Sequence, residues 1–325
     1  MRSIRAAGCV LAFHLATLAI LAQAAKPAPG DQDIPITALH PNGSCISLTS
    51  RSLQFFDDQE PQSIKAMTPT PQLPIRYVIL AQTSKSMKAH GKLVDAAITA
   101  AFGFVLQILR PEADLAMFAT FDEKYSLVQP LSADIKVLRQ AAEKPLAKAG
   151  GSAIYDALAE TSAYVAKEAK GGSYRLVLIL ITNAEDNASR LTPEQAFGLA
   201  TYYGATVYAL VVPPPDRLIT VTPSTDGKVT IDLDYLKARR FASQTGGLIF
   251  YLDEKSNYTQ IFNSIRQALL CGYVLRYQPP KIDPSLDPLG VHFLRALIPN
   301  DPEALLYLPP AYRPPPQNAA DTSAH

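Results

Sequence analysis

The order of strand-like and helix-like segments from residue 75 onward limits the fold of this chain more than any other feature. Residues 75–81 and Arg175–Thr182 form two runs that are almost entirely apolar and rich in β-branched side chains. Such runs are typical of parallel strands buried on both faces, and parallel strands need long crossovers, usually helices, between them. The sequence therefore predicts an α/β fold: a doubly wound, mainly parallel central sheet with helices on both faces.

The other elements of this core alternate in the same way. Residues 114–121 and 125–128 are predicted to pair as antiparallel strands at one edge of the sheet, joined by a polar turn. Further strands are predicted at residues 206–212 and 248–252. Helices are predicted at residues 91–109, 133–147, 152–169, 235–244 and 258–270, with a further capped helix opening at Thr192.

The two flanks differ in pattern from this core. The predicted divisions are 1–24 (signal peptide), 25–72 (an N-terminal β-like segment and linker), 73–270 (the α/β domain), 271–308 (a C-terminal β-like extension) and 309–325 (a disordered, proline-rich tail). The β-like pieces of both flanks have no helices between them, so they could pair with each other as a small β-appendage.

The N-terminus has the three parts of a secretory signal. Arg2 and Arg5 give a positive start, residues 10–21 are largely apolar, and Ala22-Gln23-Ala24 gives a small-x-small cleavage pattern. An uncleaved membrane anchor is the alternative, although the apolar run is shorter than the roughly 20 residues that a span needs. We expect cleavage after Ala24, no membrane span afterwards, and a mature protein that is periplasmic or extracellular.

Cleavage would leave two cysteines, Cys45 and Cys271. In an oxidising compartment an even pair favours a disulfide, which would tie the N-terminal flank to the end of the α/β domain. Two buried thiols are the alternative, because free cysteine behaves as a small apolar residue.

Charge and motif content narrow the function classes. The chain has a formal net charge of +1, which becomes −1 once Arg2 and Arg5 are removed, so neither nucleic acid nor an anionic membrane is an expected partner. The five histidines show no metal-ligand spacing, and the Gly-x-Ser-x-Gly, phosphate-loop and dinucleotide fingerprints do not occur. We therefore expect a protein that does not catalyse.

Three polar segments fall at predicted strand or loop ends. Gln82-Thr83-Ser84-Lys85-Ser86-Met87 follows the first central strand, Gly150-Gly151-Ser152 precedes a helix, and Thr182-Asn183-Ala184-Glu185-Asp186 ends the second central strand. Because the carboxyl ends of parallel strands meet at one edge of the sheet, these loops are predicted to converge, and that edge is where open α/β sheets bind ligands.

These loops resemble the von Willebrand factor A family, whose metal-ion-dependent adhesion site uses Asp-x-Ser-x-Ser, a threonine after a glycine pair, and a distal aspartate. The resemblance covers about residues 76–270. It extends to residues 48–67 and 272–277, which look like the flanking segments of exported acidobacterial proteins with A-type domains. It implies adhesion-type binding of another protein, such as an envelope or extracellular one, at the three loops.

The match is incomplete where the family places its charges. Ser84 and Ser86 match the two serines, and Ser152 replaces the threonine, but Gln82 and Asn183 stand where the family has aspartates. Because Mg²⁺ is usually held through one or two carboxylates, we expect a degenerate site with no metal and no other cofactor.

Three further residues could modify this site. Glu185 or Asp186 could supply a substitute carboxylate, and Lys85 could supply positive charge in place of a metal, or could be an ordinary solvated lysine. The predicted function is an exported, metal-independent binding module of the adhesion type. A structural component of a cell-envelope assembly, with the loop edge silent, is the alternative.

Overall fold

The computed structural model describes residues 30–143, 149–169, 173–212, 233–281 and 290–314. The predicted signal peptide at 1–24 lies outside the described residues. The strands are β1 (Gln32–Leu39), β2 (Gln54–Asp57), β3 (Glu60–Pro61), β4 (Ile64–Pro69), β5 (Ile75–Gln82), β6 (Leu115–Phe121), β7 (Tyr125–Ser132), β8 (Arg175–Thr182), β9 (Ala205–Val211), β10 (Ile249–Tyr251), β11 (Gly272–Tyr277), β12 (His292–Leu297), β13 (Leu305–Tyr307) and β14 (Ala311–Tyr312).

The central sheet has the order β10-β9-β8-β5-β6-β7 in the described part of the chain. All neighbouring strands in it are parallel except β6 and β7, which are antiparallel. The predicted central strands β5 and β8 lie side by side in the middle, and every residue of β8 is buried. The structure thus confirms the predicted α/β fold with one antiparallel edge pair.

Helices cover both faces of this sheet. They are α1 (Gly91–Ile108), α2 (Ile135–Ala142), α3 (Ile154–Glu168), α4 (Pro193–Tyr202), α5 (Leu233–Ser243) and α6 (Tyr258–Leu270). Because successive strand residues point to opposite faces, Val177 and Ile179 pack in the core shared with α1 and α6, whereas Leu178 packs in the core shared with α3 and α4. The predicted cap of α4 is present as a reciprocal capping box between Thr192 and Gln195.

One helical stretch among the described residues, Lys85–Ile108, is long and apolar enough to cross a membrane. It consists of a 3₁₀ turn, Lys85–His90, followed by α1. Val94, Ile98 and Phe102 on this stretch are buried in the core against the sheet. Core packing therefore accounts for the apolar character of these side chains.

The two flanks fold together, as predicted, into a small β unit. One sheet has the order β13-β1-β11-β4 and the other has the order β14-β12-β2-β3, so each combines strands from both flanks. Ile34 and Tyr277 of the first sheet share a buried cluster with Phe55 and Leu294 of the second. The α/β domain is therefore inserted between the two halves of a β-sandwich.

The tail predicted from residue 309 needs correction, because residues 309–314 belong to the fold. Tyr312 is 1% exposed, its ring stacks on His292 with centroids 4.7 Å apart, and its hydroxyl lies 2.9 Å from that of Tyr277. The next residue, Arg313, donates its backbone N–H to Gly198 O of α4 at 3.3 Å. Proline content predicts disorder, but burial of one aromatic ring holds this segment in place.

Cys45 and Cys271 form a disulfide, with Cα atoms 4.8 Å apart and a sequence separation of 226 residues. Cys271 lies between α6 and β11, where the chain leaves the α/β domain for the sandwich. The bond therefore ties the N-terminal flank to this junction and closes a loop that contains the whole α/β domain.

Replacing both cysteines in the mature protein, Cys45→Ala with Cys271→Ala, should lower the free energy of unfolding by about 2–5 kcal/mol, because the long loop is no longer closed in the unfolded chain. Urea unfolding of both proteins, with and without reductant, measures this. Reductant should lower the midpoint of the natural protein and leave the variant unchanged. Equal midpoints for the oxidised natural protein and the variant would contradict the prediction.

Candidate functional site

The three loops meet at the carboxyl edge of the central sheet. The side-chain oxygen of Gln82, at the end of β5, accepts hydrogen bonds from Thr182 Oγ1 at 2.5 Å and from Asn183 N at 3.0 Å, which joins the ends of β5 and β8. Lys85 N donates to Gly150 O at 3.1 Å, which joins the glycine pair to the first loop. Parallel pairing of β5 with β8 places these ends side by side.

A chain of hydrogen bonds runs through the positions that match the family motif. Gln82 Nε2 donates to Ser84 Oγ at 2.7 Å, Ser84 Oγ lies 2.9 Å from Ser86 Oγ, and Asn183 Nδ2 donates to Ser86 Oγ at 3.0 Å. Gln82, Ser84 and Asn183 are buried, whereas Ser86 is exposed. The two amides therefore direct N–H groups at the two hydroxyl oxygens.

Counting the hydroxyl hydrogens indicates which of the two serines donates to the other in this chain of hydrogen bonds. Both serine oxygens accept an amide N–H, and a single O–H links them, so one hydroxyl hydrogen remains unused within the chain. Placing the unused hydrogen on buried Ser84 would leave an unpaired donor away from water, which costs about 1–3 kcal/mol. The favoured arrangement has Ser84 donating to Ser86, so that Ser86 presents its hydrogen to solvent or to a ligand.

Glu185 and Asp186, the two predicted accessory carboxylates, have different surroundings. Glu185 accepts from Asn183 Nδ2 at 2.9 Å and lies at the site. Asp186 instead accepts from Ser189 Oγ at 2.5 Å and from Tyr155 N at 3.4 Å, at the start of α3. Ala184, a non-glycine residue with φ of 62°, precedes both carboxylates in the loop. Asp186 is therefore a helix-capping residue and not a neighbour of Ser84 and Ser86.

The helix predicted from residue 152 begins at Ile154, and Ser152 does not cap it. The N–H groups of Tyr155 and Asp156 donate instead to Ser189 Oγ. No local sequence signal indicates this contact, because Ser189 is more than thirty residues away along the chain. Ser152 is 1% exposed, and its hydroxyl has no hydrogen-bond partner within the described ranges.

Asp156 holds the loop that follows β8, a role that sequence reasoning did not predict. Its carboxylate accepts from Leu191 N at 2.9 Å and from Arg190 N at 3.1 Å. Burial acts to raise the pKa of Asp156, but these N–H donors outweigh it and hold the pKa below its ordinary value.

A cavity of about 650 Å³ opens beside the hydrogen-bonded chain, and Ser86 and Glu185 line it. Lys85 and Lys88 also line it and are exposed, and no ion pair involves either lysine within the residues that the structure describes. The cavity therefore presents an O–H donor and two ammonium groups, which have no ion pair with a described residue, beside one carboxylate.

Several solved structures are similar to this chain. A von Willebrand factor type A protein from Catenulispora acidiphila has 15% identity and a TM-score of 0.45, over 75% of this chain and 51% of the other. Neither a protein-family model nor a curated protein matches the sequence.

Two further solved structures are similar to this chain. An aerotolerance-related membrane protein from Bacteroides fragilis has 17% identity and a TM-score of 0.44, over 60% of this chain and 98% of the other. The von Willebrand factor domain of the type V pili tip protein Mfa5 from Porphyromonas gingivalis has 10% identity and a TM-score of 0.43, over 65% and 98%.

Asp156→Asn should destabilise the protein at neutral pH by about 1–2 kcal/mol, because charged hydrogen bonds to the loop are lost. A carboxyl group whose pKa is lowered by folding contributes stability above its unfolded pKa, near 3.8, and this contribution is lost as the pH falls through the folded pKa. The difference between variant and natural protein should therefore shrink below about pH 4.

Urea unfolding at pH 7 and pH 3 measures this difference. Glu254→Gln, at an exposed carboxylate, is the matched control and should leave the midpoint unchanged at both pH values. A difference between Asp156→Asn and the natural protein that is as large at pH 3 as at pH 7 would contradict the assignment.

Proposed function

We propose that the mature protein is an exported, non-catalytic module of the von Willebrand factor A type that binds a partner protein at the loop edge without a metal ion. The observation that carries this proposal is the hydrogen-bonded chain from Gln82 through Ser84 and Ser86 to Asn183. It fills the positions that hold a metal ion in the family with uncharged, mutually satisfied groups.

The donor set does not fit a divalent cation. A cation would need lone pairs of Ser84 and Ser86, and each of these oxygens already accepts an amide N–H. Gln82 and Asn183 carry no charge, and the carboxylate of Glu185 accepts from Asn183. Hydroxyl and amide oxygens alone do not offset two positive charges at a buried site, where Mg²⁺ takes carboxylates.

The exposed side of this chain of hydrogen bonds suits a hydrogen-bond acceptor on a partner protein. Ser86 offers an O–H donor, and Lys85 and Lys88 offer ammonium groups with no ion pair in the described residues. A carboxylate of a partner protein would accept from all of these groups directly. In this proposal the lysines supply the positive charge that a metal supplies elsewhere in the family.

The surroundings of Ser86 argue against catalysis by this serine. A nucleophilic hydroxyl needs a neighbouring base to take its proton. The partners of Ser86 Oγ in the described chain are Ser84 and Asn183, and neither side chain accepts a hydroxyl proton at neutral pH.

A structural role in an envelope assembly is the second candidate. In that case the loop edge binds no partner, and the β-sandwich makes the contacts. Phe293 favours this candidate, because it lies on β12 of the sandwich and 62% of its surface is exposed.

Restoring the two family carboxylates, Gln82→Asp with Asn183→Asp, should create binding of Mg²⁺ or Mn²⁺, whereas the natural protein should release no binding heat at millimolar metal. Titration calorimetry measures both proteins. Gln107→Asp with Asn263→Asp is the matched control, because it adds the same charge at two exposed residues elsewhere. Metal binding by the natural protein would contradict metal independence.

A photo-crosslinking residue at Lys88 should capture a discrete partner in intact cells of the source organism, and EDTA should not reduce the capture. The same residue at Phe293 tests the sandwich, and at exposed Arg139 on α2 it reports background. A specific product at Phe293 with only background at Lys88 would support the structural role instead. Loss of the Lys88 product in EDTA would contradict a metal-free contact.

A further inference from the structure

Arg175 carries a buried positive charge that the described contacts do not compensate. It opens β8 and has the same strand parity as Val177 and Ile179, so it points into the core covered by α1 and α6. It is 2% exposed, and its Nε and Nη1 atoms have no hydrogen-bond partner among the described residues. A guanidinium stays protonated at any ordinary pH, so it cannot escape the cost of burial by losing a proton.

Two residues of β9 share this face and also lack partners. Thr206 pairs with Val177 in the sheet register and Tyr208 pairs with Ile179, so they lie two and four residues further along the sheet than Arg175. Both are 0% exposed. Among the described residues, neither Thr206 Oγ1 nor Tyr208 OH has a partner with good hydrogen-bond geometry, and the group that interacts with Tyr208 OH is the guanidinium of Arg175. Groups of unsatisfied buried polar atoms in native folds require an explanation such as an unseen water or ion.

Within the part of the chain that the structure describes, the surroundings of Arg175 contain hydrogen-bond donors but no carboxylate that offsets its burial. Burial lowers the pKa of Arg175, and the side chain that opposes this effect is Tyr208, not a carboxylate. Burial raises the pKa of Tyr208 itself, so its phenol is neutral and can donate. Asp114, a fully buried carboxylate of the same domain, is already paired with Arg110 at 2.7 Å.

We infer that Arg175, Thr206 and Tyr208 form an internal site for a small monovalent anion of the halide type. A halide accepts hydrogen bonds from several directions and cancels the single charge of the guanidinium. A divalent anion is disfavoured, because the cost of moving an ion out of water rises with the square of its charge. A water molecule would satisfy the donors but would leave the charge uncompensated.

Bromide tests the site directly in the natural protein. Crystals soaked in sodium bromide should show an anomalous difference peak within hydrogen-bond distance of Arg175 and of Tyr208 OH. A water molecule at this position, or a packed interior with no peak, would overturn the inference.

Thermal unfolding in solution gives a second, independent test. At constant ionic strength, potassium chloride should raise the Tm of the mature protein by about 3 °C relative to potassium gluconate, whose anion is too large to enter. Arg175→Met should abolish this difference. Arg295→Met removes the same charge at an exposed position and should keep it.

A milder variant covers the case in which Arg175→Met does not fold. Tyr208→Phe keeps the guanidinium and removes one donor, so it should reduce the chloride effect on Tm. An unchanged chloride effect in both Tyr208→Phe and any folded Arg175→Met would overturn the inference.

Discussion

Burial of β5 and β8 on both faces is the constraint on which the rest of the structure depends. The two strands pair in parallel along their length, and their side chains enter two separate cores. Because parallel strands end at the same edge, this pairing brings Gln82 and Asn183 within hydrogen-bond distance. The hydrophobic effect in the two cores therefore fixes the geometry of the polar site, although the polar site itself contributes little to the hydrophobic effect.

The groups of that polar site satisfy one another within the described chain. Amide N–H groups point at the serine oxygens, and the favoured arrangement leaves Ser86 with a hydrogen directed outward. The surrounding loop is held by Asp156 and by the cap that Asp186 and Ser189 make on α3. A rigid support of this kind suits recognition, because the loop does not have to be ordered when a partner binds.

The flanking sandwich restrains the α/β domain at several points. Its two sheets each contain strands from before and after the domain. The Cys45–Cys271 disulfide lies where the chain passes from the α/β domain into the sandwich. Arg313 bonds to Gly198, and a side chain at Gly198 would meet the Cβ of Arg313 at 2.9 Å. Close contact between this last segment and α4 therefore requires glycine at that position.

The sequence by itself determined the α/β fold, the position of the central strands and the residues that end them, because apolar periodicity and strand order are local properties that burial then enforces. It also showed that Gln82 and Asn183 carry no charge, which is a matter of residue type. Only the tertiary structure decided that Glu185 accepts from Asn183 while Asp186 caps α3, because the direction of each side chain depends on the loops that surround it. It also decided that Tyr312 is buried and that Arg175 has no counter-charge among the described residues, because both depend on distant segments that pack against them.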